Sequence, residues 1–371
     1  MARVSLDPAV QGGFAAVGRQ LEAGLAIDLF IPIAGRGLSH TWYGPSGWNR
    51  GASGDIQFRQ VVATGDGETF RHQPSAVSWA RDRLDVFAVS DRGELWHFWA
   101  IGEQQPATSW TGESLGHPAT GGLVSGPGAV AHDQGKITVF ARSGRGGTLM
   151  MCVRDPADGE RWTWRDPVNE LGWEKPPGEF VFAPAGCSWS PDRIDLFCVS
   201  GTTSAGTLEH TWQQDHPNDP AWHPDYWEQP PAFILTSTPV AVSWSEPKRV
   251  FVIYRNVPGI NGTSIAMSHW IGRKPAPRAS HAAGNAYDRS LLHHPGAELD
   301  WSHEIVYEQV SSDDDVLSFP TLASGQKDRL DTFWIRGDLQ LQHGRANTVG
   351  AMKDWAWEWE SVPIAWPSAA V

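Results

Sequence analysis

A short phrase recurs along the whole chain, and this repetition constrains the fold more than any other feature. Its six copies end at aromatic or aliphatic residues: Phe30, Phe87, Phe140, Phe197, Ile253 and Phe333. The spacing is 53 to 57 residues in four steps and 80 in the last. A run ending in Ser-Trp precedes several copies, and runs such as "LWHFW" and "LEHTW" follow them, with a Trp-rich fourth run in several units. Four short strands per unit are the pattern of a propeller blade.

We therefore predict an all-β fold, a six-bladed β-propeller of four-stranded antiparallel blades that forms one domain over 1–371. The approximate modules are 13–66, 67–120, 121–176, 177–232, 233–312 and 313–371. The longer last spacing predicts an insertion at about 273–300, between the third and fourth strands of module five. Ring closure is favoured because a lone sheet leaves both faces uncovered, whereas stacked blades bury them.

Composition limits the classes of partner and cofactor. The formal net charge of −13 opposes binding to a phosphate backbone, so we expect no nucleic acid. The sequence contains no apolar run of about 18 residues, the length that a membrane-spanning helix needs, and no export signal is visible. We therefore expect a cytoplasmic protein without a membrane partner. The three cysteines have no disulfide or zinc spacing, and we expect no metal and no cofactor. Nothing in the sequence sets the oligomeric state.

An Asp on the second strand recurs together with a His on the third. The pairs are Asp28 with His40, Asp85 with His97, Asp195 with His210, and Asp331 with His343. At the same positions module three has Thr138 and Met151, and module five has Phe251 and Ser268. The two polar residues are kept or lost together, which indicates a structural hydrogen bond between neighbouring strands. A ligand-contacting role for these residues is the alternative interpretation.

The residue that ends the first strand of each module varies along the chain. In module order it is Arg19, Trp79, His132, Trp189, Trp244 and Gly325. First strands are innermost in propellers, so we expect Arg19 and His132 to lie near the central channel. Variable packing at a strand end is the alternative interpretation. In general, positions that the repeats share suit a multivalent binder, whereas positions where they differ suit a single central pocket.

The phrases "SW…RLDVF…LWHFW" and "SWSPDRIDLF…LEHTW" resemble the repeats of bacterial propeller lectins that bind fucose. The number of modules is similar to that of the fungal six-bladed fucose lectins. The resemblance implies sugar binding between blades by an Arg, a Glu or Gln, and an aromatic residue. The chain departs from that pattern, because Asp replaces the second-strand Arg and the third-strand acid is retained only as Glu94 and Glu209.

We therefore expect a lectin-like protein that binds a glycan or another small molecule without catalysis. An indole stacks on the apolar face of a pyranose while nearby polar groups bond its hydroxyls. The candidate ligand-binding residues are Glu94, Glu209, Trp79, Trp99, Trp189, Trp212 and Trp244.

An enzyme with a single pocket is the alternative, although no nucleophile elbow, phosphate loop or HExxH motif is present. Some lectin-like propellers act as cyclases in natural-product pathways. A resemblance to those proteins implies an apolar pocket in the central channel. The irregular modules three and five suit such a protein, and Arg19 and His132 are its candidate catalytic residues. A protein-interaction scaffold is a third possibility.

Overall fold

The structure, a computed structural model, is an all-β six-bladed propeller, which confirms the predicted fold class. It describes residues 12–33, 37–61, 68–102, 109–144, 146–167, 180–191, 193–202, 205–214, 222–225, 235–245, 248–256, 264–271, 301–308, 316–348 and 355–366. Within these ranges the one helical segment is a three-residue 3-10 turn, Pro156–Asp158. None of the described segments is a helix long and apolar enough to cross a membrane.

Every blade is an antiparallel meander whose strands follow one another in chain order. Blade one contains β1 (Ala15–Leu21), β2 (Gly24–Ile33), β3 (Gly37–Gly44), β4 (Gly47–Trp48) and β5 (Arg59–Gln60), which also pairs with β3. Blade two contains β6 (Ser75–Val77), β7 (Arg83–Val89), β8 (Leu95–Ile101) and β9 (Trp110–Gly116). Blade three contains β10 (Gly128–Asp133), β11 (Lys136–Ser143), β12 (Thr148–Arg154) and β13 (Trp162–Arg165).

The second half of the chain repeats this arrangement three times. Blade four contains β14 (Ala185–Cys187), β15 (Arg193–Thr202), β16 (Ala205–Gln214) and β17 (Trp222–Asp225). Blade five contains β18 (Val240–Ser245), β19 (Lys248–Asn256), β20 (Ser264–Ile271) and β21 (Trp301–Glu308). Blade six contains β22 (Thr321–Ala323), β23 (Arg329–Ile335), β24 (Leu341–Asn347) and β25 (Trp357–Val362). The predicted insertion at 273–300 lies outside the described residues, between β20 and β21.

The first strands of the six blades surround a central channel of about 220 Å³. Each of them neighbours the first strands of the two adjacent blades, and β22 lies beside β1, so the ring is closed. The strand backbones approach one another closely at small residues. A Cβ atom on Gly18 would lie 2.2 Å from the backbone nitrogen of Gly325, and only glycine fits this contact between blades one and six.

The hydrophobic core is divided among the six blade interfaces. Adjacent residues of β2 illustrate this, because side chains alternate between the faces of a strand. Leu29 packs in one cluster with Phe333 of blade six, and Phe30 packs in another with Val86 of blade two. Each blade therefore buries both faces only when its two neighbours are present, as repeat stacking requires.

The segment that follows β25 pairs with blade one. Ile56 pairs in parallel with Ile364: its nitrogen donates to the oxygen of Pro363 at 2.8 Å, and its oxygen accepts from the nitrogen of Ala365 at 3.1 Å. The indole Nε1 of Trp48 also donates to Glu360 Oε1 of blade six at 3.1 Å. The segment that follows β25 thus fastens the last blade to the first.

Candidate functional site

The four Asp–His pairs are buried hydrogen-bonded pairs that connect the second and third strands of their blades. The His Nε2 to Asp Oδ1 distances are 2.9 Å in blades one and two, 3.1 Å in blade four and 2.8 Å in blade six. Burial alone would raise the pKa of each Asp carboxyl. Hydrogen bonds and charges from the partner His and an Arg outweigh burial and lower the pKa in all four.

An Arg completes each unit. In blades two, four and six it stands two residues before the Asp on the same strand, and Nη2 lies 2.7 Å from the Asp Oδ1. Blade one has Ala26 at this place, and Arg19, the neighbour of Ala26 on β1, supplies the guanidinium instead. Arg19 donates Nε and Nη2 to Asp28 at 3.2 and 3.0 Å, and Nη1 to the oxygen of Arg81. Arg19 is 3% exposed in this ion pair, and Gly18 beside it, not Arg19, is among the residues that line the channel.

Four of the tryptophans predicted to bind ligand contact the Arg of their own blade. Trp189 and Trp212 both lie against Arg193, with ring centroids 4.8 and 4.2 Å from its guanidinium carbon. Trp79 and Trp99 lie 5.7 to 5.8 Å from the guanidinium carbon of Arg83 in the same way. The fifth, Trp244, lies over Arg249 at 5.9 Å, in a blade that has no Asp–His pair.

The two candidate glutamates are not brought together with these indoles. Glu209 Oε1 accepts from Ser200 Oγ at 2.7 Å, and because side chains alternate along β16 it lies on the face opposite Trp212. Glu94 Oε2 accepts from Ser114 Oγ at 3.2 Å on the fourth strand. No sandwich of Arg, acid and indole that resembles the expected sugar site forms around either glutamate in the described parts of blades two and four.

Sequence reasoning missed two glutamates of the fourth strands. Glu113 Oε1 lies 3.0 Å from His97 Nδ1, and Glu360 Oε1 lies 2.7 Å from His343 Nδ1. Hydrogen bonding to His343 lowers the pKa of Glu360 to about 2. Both glutamates precede a serine, so a repeated Glu-Ser in the fourth run was the available signal. In these two blades both ring nitrogens of the His are hydrogen-bonded to carboxylates.

Modules three and five lack the Asp–His pair and have neither Asp nor His at the two positions. Module three has Thr138 and Met151, as expected. In blade five the sequence alignment sets Ser268 against the His positions, but the strand register gives a different residue. Met267 lies opposite Ile253 as His97 lies opposite Phe87, and it is fully buried. Both irregular blades thus place a methionine where the others have histidine.

One end of the channel widens into a cavity of about 530 Å³, here called the mouth. Ala131, Ser188, Ser243 and Ser324 line both the channel and the mouth, so the two are continuous. Five of the six residues at the ends of the first strands line the mouth: Trp79, His132, Trp189, Trp244 and Gly325. The sixth, Arg19, lines neither cavity.

The mouth combines aromatic surface with small polar groups. Asp133, Gln134, Ser190, Gln326 and Lys327 lie between and beside the indoles. His132 Nδ1 lies 3.4 Å from the oxygen of Pro191, and its Nε2 lies 3.3 Å from Thr138 Oγ1. The indole Nε1 of Trp244 donates to Ser324 Oγ.

The mouth is off-centre because blade one contributes nothing to its lining. Gly18 of blade one lies against Gly325 of blade six, where a Cβ on Gly325 would come within 2.7 Å of the Arg19 nitrogen. A Trp at position 325, as in blades two, four and five, has no space there. The aromatic wall of the mouth is therefore formed by blades two, four and five.

Comparison with known proteins connects this fold to lectins. No protein-family model and no curated protein matches the chain. Among solved structures, the fucose-specific lectin from Aleuria aurantia is 13% identical, with a TM-score of 0.58 over 96% of both chains. AofleA from Arthrobotrys oligospora is 13% identical, with a TM-score of 0.60 over 95% of this chain and 86% of that one. The lectin BP39L from Burkholderia pseudomallei is 17% identical, with a TM-score of 0.54 over 95% and 84%. At these identities the likeness shows a shared six-bladed fold.

Proposed function

We propose that this protein is a carbohydrate-binding, lectin-like propeller that does not transform its ligand. The observation that carries the proposal is the mouth, where Trp79, Trp189 and Trp244 surround one cavity with hydroxyl, amide and charged groups between them. Indoles cover the apolar face of a sugar ring, and the polar groups between them match its hydroxyls. The fold shared with the fucose-specific lectin from Aleuria aurantia supports the same function.

The geometry of the histidines argues against acid–base catalysis by the Asp–His pairs. In a catalytic arrangement one ring nitrogen faces the reacting group while the other is oriented by a carboxylate. In His97 and His343 carboxylates occupy both nitrogens, and each ring is stacked on a phenylalanine. The cyclase alternative also loses Arg19, which is held in the ion pair with Asp28.

A glycan array probed with the fluorescently labelled full chain tests the proposal. We expect binding to at least one glycan class, with competition by the free sugar. The bound glycan, recovered after prolonged incubation and examined by mass spectrometry, should be unchanged. Failure to bind any glycan contradicts the carbohydrate assignment, and a cleaved or rearranged ligand contradicts the absence of catalysis.

A further inference from the structure

We propose that the protein carries one sugar site per chain, located at the mouth, and that it takes a neutral sugar residue; this rests on the proposed function. The alternative is a set of repeated sites at equivalent places in several blades, which would make the chain multivalent. The two arrangements use different residues. Repeated sites need groups on the second and third strands of each blade, whereas the mouth is formed where the ends of the first strands meet.

The shared positions are already occupied by contacts within the protein. In blades two and four the Arg donates to a buried Asp and lies between two indoles. The Asp and His side chains of all four complete units are at most 4% exposed. A sugar placed at these units would have to displace a buried ion pair, and leaving one charge unpaired costs several kcal/mol. The Asp and His side chains of the repeated units are therefore unavailable to a ligand.

The ends of the first strands meet at a single place because the first strands surround the central channel. Blades two to six each contribute the end of their first strand to the same cavity, so these positions form one pocket and not several. Its volume of about 530 Å³ lies within the usual range of small-molecule sites, which is about 300 to 1,000 Å³. One pocket on the axis predicts one ligand per chain.

The charges of the lining indicate a neutral ligand. Asp133 and Lys327 contribute one negative and one positive group, and the other polar groups include two glutamine amides and several serine hydroxyls. The chain as a whole carries a formal charge of −13, which disfavours the approach of anionic sugars. Amides and hydroxyls bond sugar hydroxyls in either direction, since both groups donate and accept. A neutral pyranose fits this combination best.

Matched tryptophan variants distinguish binding at the mouth from binding at the contacts between Arg and Trp. Trp189 and Trp212 both stack on Arg193, yet of the two only Trp189 lines the mouth. Trp79 and Trp99 form the same matched pair on Arg83. Loss of a stacked indole is expected to weaken sugar binding about tenfold for W189L or W79L. W212L and W99L lose the same contact with an Arg and should bind as the wild type does.

The experiment is isothermal titration with the neutral glycan that binds best on the array, supplemented by native mass spectrometry of the full chain. We expect one bound glycan per chain and the weakening described for the two mouth variants. Q326A and K327A change exposed residues of the mouth without touching its packing, so weaker binding in either supports the site even if a Trp variant fails to fold. The denaturation midpoint of each variant serves as the folding control.

Two or more equivalent sites per chain would overturn the inference while leaving the carbohydrate function intact. Equal weakening by W212L and W189L in folded proteins would also overturn it, as would tighter binding of anionic glycans. Absence of binding to every glycan, neutral or anionic, overturns the proposed function itself and this inference with it.

Discussion

Removal of Asp85, His97 or both measures how far these side chains depend on each other. The Asp85 carboxylate accepts from Arg83 at 2.7 to 3.1 Å and from His97 at 2.9 Å, with no exposed surface. In D85A both donors lose their acceptor, and breaking a buried ion pair in this way costs about 3–5 kcal/mol. H97A loses the buried charge-assisted hydrogen bond to Asp85, worth about 1.5–3 kcal/mol. It also loses the partly exposed hydrogen bond to Glu113 and the ring packing with Phe87 and Trp162.

The double variant should cost less than the sum of the single ones. Once Asp85 is gone, His97 contributes only its packing and its partly exposed hydrogen bond to Glu113, so we expect about 4–6 kcal/mol for the pair and a coupling of about 2 kcal/mol. Urea denaturation followed by tryptophan fluorescence gives these values, provided that the m-values of the variants agree. Full additivity in variants with equal m-values would refute the pairing argument.

Blade three supplies a second form of the same experiment. It places Thr138 and Met151 where blade two has Asp85 and His97, and it folds in the same ring. Transfer of that pair as D85T with H97M removes the buried charge and fills the space of the imidazole. We expect this double variant to unfold at a higher urea concentration than D85A alone, because it removes the imidazole that D85A leaves without its buried acceptor, while Arg83 loses Asp85 in both variants. A lower midpoint than that of D85A would show that the interface itself requires the charges.

Three further predictions follow from packing and charge. G18A should lower the free energy of unfolding by more than G122A, because the new Cβ meets the backbone of blade six at 2.2 Å, whereas at Gly122 the nearest atom is 3.4 Å away; equal midpoints in urea would contradict the close approach. The pKa of Glu360 is lowered to about 2 from 4.5, so its contribution is present above the unfolded value and lost as the pH falls through the folded one; E360Q should flatten the loss of stability between pH 4.5 and 2, and E358Q on the same strand should not. Burial raises the pKa of all three thiols, so iodoacetamide should label none of them before unfolding, and labelling of the native protein at pH 8 would contradict their burial.

The propeller was predictable because its signal is repeated six times. The second strand of each blade has side chains that alternate between two buried faces. The short runs between Gly, Asp and Pro turns have the length of propeller strands. The closure of the ring was not predictable. The pairing of Ile56 with Ile364 joins residues 308 positions apart, and neither of them belongs to a repeated phrase.

The site was predicted only in part, and the reason is strand register. Trp79, His132, Trp189 and Trp244 were singled out from their place at the end of the first strands, and the structure brings them to one cavity. Blade one has Ala26 at the Arg position of β2, and Arg19 on β1 supplies the guanidinium instead. This replacement is visible only when β1 and β2 are aligned residue by residue. A position-by-position comparison of the repeats assigns Arg19 to the channel because it contains no information on Ala26, the residue opposite Arg19 on β2.

The Asp–His pairs have a further structural consequence, since they fix the register of the second strand against the third. A slip of one residue turns every side chain to the other face and separates the Asp from its His. In blades one, two and four the third-strand Trp lies opposite the Asp, as in Asp85 with Trp99, and in blade six Arg345 lies opposite Asp331. Blade five lacks the pair, and there Trp270 lies opposite Val250, one residue away from the Phe251 that occupies the Asp position. An alignment of the repeated phrases by their third-strand Trp therefore predicts the histidine position of this blade one residue too late. The Asp–His pairs thus stabilise the alignment of the four sheets that contain them, whereas blade three keeps the same register without a pair.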